Sequence, residues 1–288
     1  PRRSRRHALA LTAHHNLHAR KDQIIMTTVA DLGNGRVGGN LATADNQLAH
    51  DLDGTGPMLV AVHGITENRR FWDPIHLQQH FRVLSVDLRG HGDSPRARPY
   101  GIDESVEDIH QLIEALGEDQ SPFIVGHSLG GVIATAYAAR YPTRGVVNVD
   151  QSLRVGPLPA EIVAAVRGEG FADFVRTVFA QLYGELDPAL VADIERRRAL
   201  DQEVFSGFWT PLLDWDADTL AAWSRRTTSL PPDVPYLSLH GTHPGEDYAH
   251  WLTDRIPGAV AEQTPTRTHY PHLAQPEWFA SRVHQFFS

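Results

Sequence analysis

Pro122-Phe123-Ile124-Val125-Gly126-His127-Ser128-Leu129-Gly130-Gly131-Val132 is the stretch on which the reading of this chain turns. A short apolar run, residues 122–125, ends on a Gly-X-Ser-X-Gly pentapeptide, and residues 132–141 continue as an apolar helical pattern. Strand, sharp turn and helix in that order make the pentapeptide a nucleophile elbow. A strained backbone lifts the Ser128 hydroxyl above a sheet, and Gly126 and Gly130 remove side chains that would collide there. Outside such a context the same five residues would be a Gly-rich turn with a capping serine.

Working outward, the elbow sits in an alternation of strands and helices. Met58-Leu59-Val60-Ala61-Val62 is a continuous apolar run, as expected of a strand buried on both faces, and it ends in His63-Gly64-Ile65-Thr66. A helical pattern through Phe71, Trp72, Ile75 and Leu77 follows, then a strand over 81–86 that runs into Asp87-Leu88-Arg89-Gly90-His91-Gly92-Asp93-Ser94. Val106, Ile109, Ile113 and Leu116 recur at helical spacing over 102–116, with Gly117 placed to end the helix. Residues 145–149 read as one more buried strand, and residues 27–32 and 46–51 as an antiparallel opening. This order predicts an α/β fold with a mostly parallel sheet covered by helices on both faces.

The alternation stops over 153–232, where Pro-punctuated helical patterns cover 160–166, 171–183, 189–205 and 217–226, and strands resume only at 234–240. Residues 26–152 and 233–288 are therefore read as the core domain and 153–232 as an inserted helical cap between the sixth and seventh strands. Residues 1–25, ahead of Met26, read as a non-core extension, disordered or non-native. The insertion is rich in aromatic residues, most of which should pack it on the core. Tyr183, Phe208 and Trp209 are singled out as candidates to touch a substrate.

Composition narrows the function classes. At 288 residues and 41% hydrophobic the chain can bury one large core. Its formal charge of −9 is uneven, because the first 25 residues hold Arg2, Arg3, Arg5, Arg6, Arg20 and Lys21 against one acid, Asp22. The remaining body is acidic, so neither nucleic acid nor an anionic membrane is an expected partner. With no cysteine there is no disulfide or thiolate chemistry, which fits a reducing cytoplasm. No apolar run is long enough to span a bilayer. Residues 35–39 and 90–92 read as turns and not dinucleotide loops, and His240 and His243 as turn residues and not metal ligands, so no cofactor or metal is expected. The sequence neither requires nor excludes a homo-oligomer.

Taken together, His63-Gly64, the segment Asp87 to Ser94, the elbow, and the tail Thr268-His269-Tyr270-Pro271-His272-Leu273-Ala274-Gln275-Pro276-Glu277 resemble the α/β-hydrolase superfamily over nearly everything after Met26, in the subgroup with a helical cap. The resemblance implies that Ser128 is the nucleophile and His269 its base, while His63, His91, His127 and His272 brace the surrounding turns. It also implies an oxyanion hole from the backbone N–H groups of Ile65 and Leu129. The triad acid departs from the commoner family pattern, because Gly241-Thr242-His243-Pro244 puts a proline where that acid usually stands. Asp150, ending the sixth predicted strand, matches the position used by a minority of relatives that includes fungal zearalenone-type lactonases. Glu246 and Asp247 remain the alternatives. The implied activity is hydrolysis of a carboxylic ester or lactone, with a bulky apolar lactone as the narrower expectation. Two other readings stand beside it: carbon–carbon bond hydrolysis of a ring-cleavage diketone, and a non-catalytic ligand receptor on the same fold.

Overall fold

The computed structural model describes residues 27–31, 37–42, 47–245 and 247–288. The extension over 1–25 and Glu246 lie outside the described residues. The strands are β1 (Thr27–Asp31), β2 (Val37–Ala42), β3 (Gln47–Asp53), β4 (Met58–Val62), β5 (Arg82–Val86), β6 (Phe123–His127), β7 (Gly145–Val149), β8 (Tyr236–His240) and β9 (Val260–Gln263). They form one nine-stranded sheet in the order β1-β2-β3-β5-β4-β6-β7-β8-β9. Pairing is antiparallel from β1 to β3 and between β3 and β5, and parallel across the rest.

Two strands have weak sequence signals. Val37–Ala42 is VGGNLA, and its residues 37–39 were expected in a turn. Instead β2 pairs on both sides, with β1 and with β3, and that tertiary pairing overrides the low β-propensity of its glycines. This extra strand moves the helical insertion to a place between the seventh and eighth strands in chain order, a correction to the predicted count. The other strand, β9, is a four-residue edge strand with no buried residue, so it lacks the apolar run that marks β4.

Every residue of β4, β6, β7 and β8 is buried, and these strands form the middle of the core. Burying each Val, Leu or Ile there contributes about 1.5–3 kcal/mol. Helix α1 (Ile102–Ala115) turns Val106, Ile109, Leu112 and Ile113 inward, carries Asp103 and Glu104 in its first turn, and stops before Gly117, whose φ of +72° suits a residue without a side chain. Helix α2 (Leu129–Arg140) starts at the elbow and packs on β6 and β7.

Between β7 and β8 lie α3 (Ala160–Arg167), α4 (Phe171–Leu182), α5 (Pro188–Arg197), α6 (Gln202–Phe208), α7 (Thr210–Asp214) and α8 (Ala217–Thr227). The single helix expected over 189–205 is broken into α5 and α6. Asp201 accepts a hydrogen bond from the Val204 N–H and starts a new helix, while Arg198 is extended. The chain ends in α9 (Tyr248–Arg255), α10 (Pro271–Ala274) and α11 (Pro276–Phe287).

The sheet order also explains where a site can form. From β4 the chain steps one way to β5, then crosses back over β4 to β6 and proceeds outward through β7, β8 and β9. The direction reverses between β4 and β6, where Val62 pairs with Gly126. Loops leaving the C-terminal ends of neighbouring strands diverge at such a switch point and leave a crevice. His63 to Glu67 leaves β4 and Ser128 leaves β6 at this crevice.

Candidate active site

The elbow comes first. Ser128 has φ 51° and ψ −120°, a strained conformation for a residue with a side chain, and it makes no capping bond to α2. A capping serine is thereby set aside: the hydroxyl is not spent on the helix. The glycines on either side are required by contact. A β-carbon on Gly126 would lie 2.0 Å from the Gly130 oxygen, and one on Gly130 would lie 2.2 Å from the Val62 oxygen. Both obstacles are backbone and cannot swing away. Gly130→Ala is therefore expected to cost on the order of 3 kcal/mol, measured as a lower urea midpoint with an unchanged slope.

The loop after β4 is held by three buried side chains, those of His63, His91 and Glu67. His63 donates from Nδ1 to the Gly64 oxygen at 2.7 Å and accepts the Leu88 N–H at Nε2, 3.0 Å away. His91 accepts the Thr66 N–H at 3.2 Å. Burial, which penalises the charged ring, pushes His63 down to about 4 and His91 to about 3, so both are neutral braces. Gly64 N–H goes to Glu67 Oε2 at 2.8 Å, and Glu67 N–H returns to the Gly64 oxygen at 3.2 Å. These bonds engage the N–H groups on both sides of Ile65, while the Ile65 side chain lines the cavity described below. Leu129 is the first residue of α2, where the N–H has no intrahelical acceptor.

Asp150, immediately after β7, has φ 52°, a left-handed conformation that aspartate tolerates better than most residues. Its Oδ1 accepts the Gly241 N–H at 2.7 Å and the Thr242 N–H at 2.9 Å; its Oδ2 accepts the Thr242 hydroxyl at 2.8 Å and faces His269 Nδ1 at 2.6 Å. Gly241 and Thr242 begin the very loop where the commoner family pattern keeps its acid. Here that loop donates to a carboxylate arriving from the neighbouring strand. Burial alone would raise the Asp150 carboxyl, but the His269 and Thr242 bonds outweigh it and hold it below the usual range. Asp247 is exposed and opens α9.

His269 is buried, and its backbone is held from two sides. Its N–H donates to the Leu182 oxygen of α4 at 2.9 Å, and its carbonyl accepts from His127 Nε2 at 2.7 Å. Burial and the neighbouring His127 lower its pKa against the opposing pull of Asp150. With Nδ1 turned to the carboxylate, Nε2 is the ring nitrogen left for other chemistry.

Ser128, Leu129, Ile65 and His269 line one cavity of about 280 Å³. Its walls are otherwise nearly all apolar and come largely from the insertion: Phe174, Phe179, Leu182, Phe208, Trp209 and Trp223 among others, with Gln151 as a polar exception. Among the described residues, no Asp, Glu, Lys or Arg lines it. Phe208 and Trp209 line this cavity. Tyr183 does not: its hydroxyl is engaged by Glu195 and Arg198, and its ring faces Tyr270 instead of the cavity. The α4 residues Phe174, Phe179 and Leu182 were missed, because their helical spacing is equally that of a packed core face. Thr242 was also missed; a threonine two residues past a strand carries no signal until its partner is known.

His240 ends β8, buried, with Nε2 bonded to Ser238 Oγ at 2.8 Å, and His243 accepts the Gly245 N–H at 3.1 Å. Among the described residues no helix is long and apolar enough to cross a membrane.

Residues 59–282 match the model of the Alpha/beta hydrolase family. The chain is 34% identical over 239 residues to 2-(acetamidomethylene)succinate hydrolase of Mesorhizobium japonicum, covering 78% of this chain and 85% of that protein. It is 27% identical to the pimeloyl-[acyl-carrier protein] methyl ester esterase of Nitrosospira multiformis, over 81% of this chain and 95% of the other. Its fold is similar to that of the enol-lactonase from Burkholderia xenovorans, with a TM-score of 0.70 at 24% identity, covering 84% of this chain and 96% of that one.

Proposed function

Because this chain belongs to the alpha/beta hydrolase family, we propose that it is a serine hydrolase, acting in the cytoplasm, that cleaves a carboxylic ester or lactone through an acyl-enzyme on Ser128. The observation that carries this reading is the 2.6 Å contact between Asp150 Oδ2 and His269 Nδ1, made by a histidine that shares one apolar cavity with Ser128. Asp150 keeps the proton on Nδ1, so Nε2 can take the Ser128 proton as the hydroxyl attacks the carbonyl carbon. The N–H groups of Ile65 and Leu129 receive the developing oxyanion, a contribution typically worth several kcal/mol of barrier. His269 then returns the proton to the leaving alkoxide. In the second half it activates water, and the carboxylic acid leaves.

The lining supports a substrate class. A dicarboxylate such as the succinate in the relative's name would bring two charges into walls where no described residue is a Lys or Arg, and uncompensated burial of a charge is strongly unfavourable. An uncharged substrate fits these walls. At about 280 Å³ the cavity lies at the small end of ligand pockets, which favours a compact apolar ester or a lactone that nearly fills it. The residues proposed to grip it are Phe208 and Trp209.

The test is a panel of p-nitrophenyl esters, an aromatic macrolactone, 2-(acetamidomethylene)succinate and a dienoate diketone, with acid release followed. Neutral esters or lactones should exceed the dicarboxylate in kcat/KM by at least about 100-fold, the size expected from an unpaired buried charge. Preference for the diketone would replace ester hydrolysis by carbon–carbon cleavage on the same residues. Binding without turnover, unchanged in Ser128→Ala, would make the protein a receptor.

A further inference from the structure

Beneath His269 lies a second histidine–carboxylate pair. Glu67 is 2% exposed and His127 is fully buried. Glu67 Oε2 accepts the Gly64 N–H at 2.8 Å and lies 3.1 Å from His127 Nδ1; His127 Nε2 lies 2.7 Å from the His269 carbonyl oxygen. The carboxylate rests so close on Gly64 that a β-carbon there would meet it at 2.9 Å. One buried chain of bonds thus runs from the loop bearing Ile65, through the residue next to Ser128, to the backbone of the base.

Proton counting puts one shared proton in the pair. A carbonyl oxygen only accepts, so His127 Nε2 must carry a proton. The remaining proton lies between Nδ1 and a carboxylate that already accepts an N–H on the same oxygen. We propose that Glu67 and His127 are positioning residues, a buried carboxylate–imidazolium pair that holds the oxyanion loop and the base loop in register. The inference rests on the serine-hydrolase reading above.

Burial opposes both charges, but each partner outweighs it for the other: His127 holds the Glu67 carboxyl at about 2, and Glu67 raises His127. The groups facing His127 are Glu67, His269, Tyr270 and His272, with Asp150 and Arg198 as the further charges nearby. His269 and His127 have ring centroids 4.7 Å apart, so an imidazolium at His127 disfavours a second positive charge on the base. Glu67 opposes that effect from farther off, and His127 is the stronger influence on His269.

Glu67→Gln separates charge from geometry. The glutamine oxygen, standing in the place of Oε2, can keep the Gly64 bond and still face His127 Nδ1, but the neutral amide no longer favours an imidazolium there. The variant should fold, with near-ultraviolet circular dichroism unchanged. For p-nitrophenyl butyrate its kcat should fall about tenfold with KM within about twofold, and the acidic limb of kcat/KM should move to higher pH as the base becomes easier to protonate. His127→Gln should lower kcat at least as much. Profiles that superimpose on the wild type, or a change in KM alone, would overturn the proposal. The nitrogen-15 spectrum of the wild-type histidines gives a readout free of activity, with His127 assigned by its loss in His127→Gln. Both ring nitrogens protonated at pH 8 supports the pair; a single proton overturns it. If the wild type turns over no ester, the hydrolase reading fails, and the spectrum still decides the pair.

Discussion

Ser128→Ala is expected to lower ester or lactone turnover by at least about 10,000-fold while leaving the urea midpoint nearly unchanged. The separation of effects follows from the elbow. The Ser128 hydroxyl caps nothing, and alanine is no worse than serine at a φ of 51°, so removing one oxygen costs the fold little. The reaction has no substitute for it. His269 is the base offered here, and without the hydroxyl it could only drive water against the carbonyl from a geometry built for serine. The N–H groups of Ile65 and Leu129, proposed as the oxyanion donors, would remain and keep some rate above background. Stopped acid release in a variant of unaltered melting behaviour is the outcome to look for. A variant within about tenfold of wild type would remove the acyl-enzyme mechanism altogether.

Asp150→Asn should cost about 1,000- to 10,000-fold in kcat, a loss of the kind seen when a triad histidine is held in the wrong tautomer. The hydrogen bonds around Asp150 dictate how the amide would sit. Two backbone N–H groups, from Gly241 and Thr242, point at Oδ1, so the asparagine must keep its oxygen there. Its NH2 then takes the place of Oδ2, opposite His269 Nδ1 and the Thr242 hydroxyl. A donor facing Nδ1 moves the histidine proton to Nε2, the nitrogen that should accept from Ser128. Loss of the carboxylate also removes a charge that favours the imidazolium, so the acidic limb of any residual activity should move to lower pH, opposite to the shift expected for Glu67→Gln. Asp247→Asn, altering an exposed residue at the start of α9, should leave kcat/KM within about twofold.

Much of this molecule is legible along the chain because its signals are local. The run from Met58 to Val62 is continuous and apolar because that strand is covered on both faces, and all five residues are buried. The elbow announces itself because strand, turn and helix are contiguous, and its glycines stand where backbone meets backbone. Where the signal was weak, burial was incomplete or the partner distant. The edge strand β9 has no buried residue, β2 is made of residues with little strand preference, and the break at Arg198 depends on Asp201 capping the next helix.

The amino-acid sequence by itself determined the alternation of strands and helices, the elbow at Ser128 and the candidate residues His269 and Asp150. Only the tertiary structure decided which carboxylate His269 meets, since the two are 119 positions apart. The same holds for Glu67 and His127, 60 positions apart. The cavity likewise exists only when the insertion helices lie over the crevice between β4 and β6, with Trp209 and Phe208 inward and Tyr183 turned to Arg198. The physical reason is range: apolar patterning and turn chemistry act between neighbours in the chain, whereas a hydrogen bond 2.6 Å long is set by every packed element between its two ends.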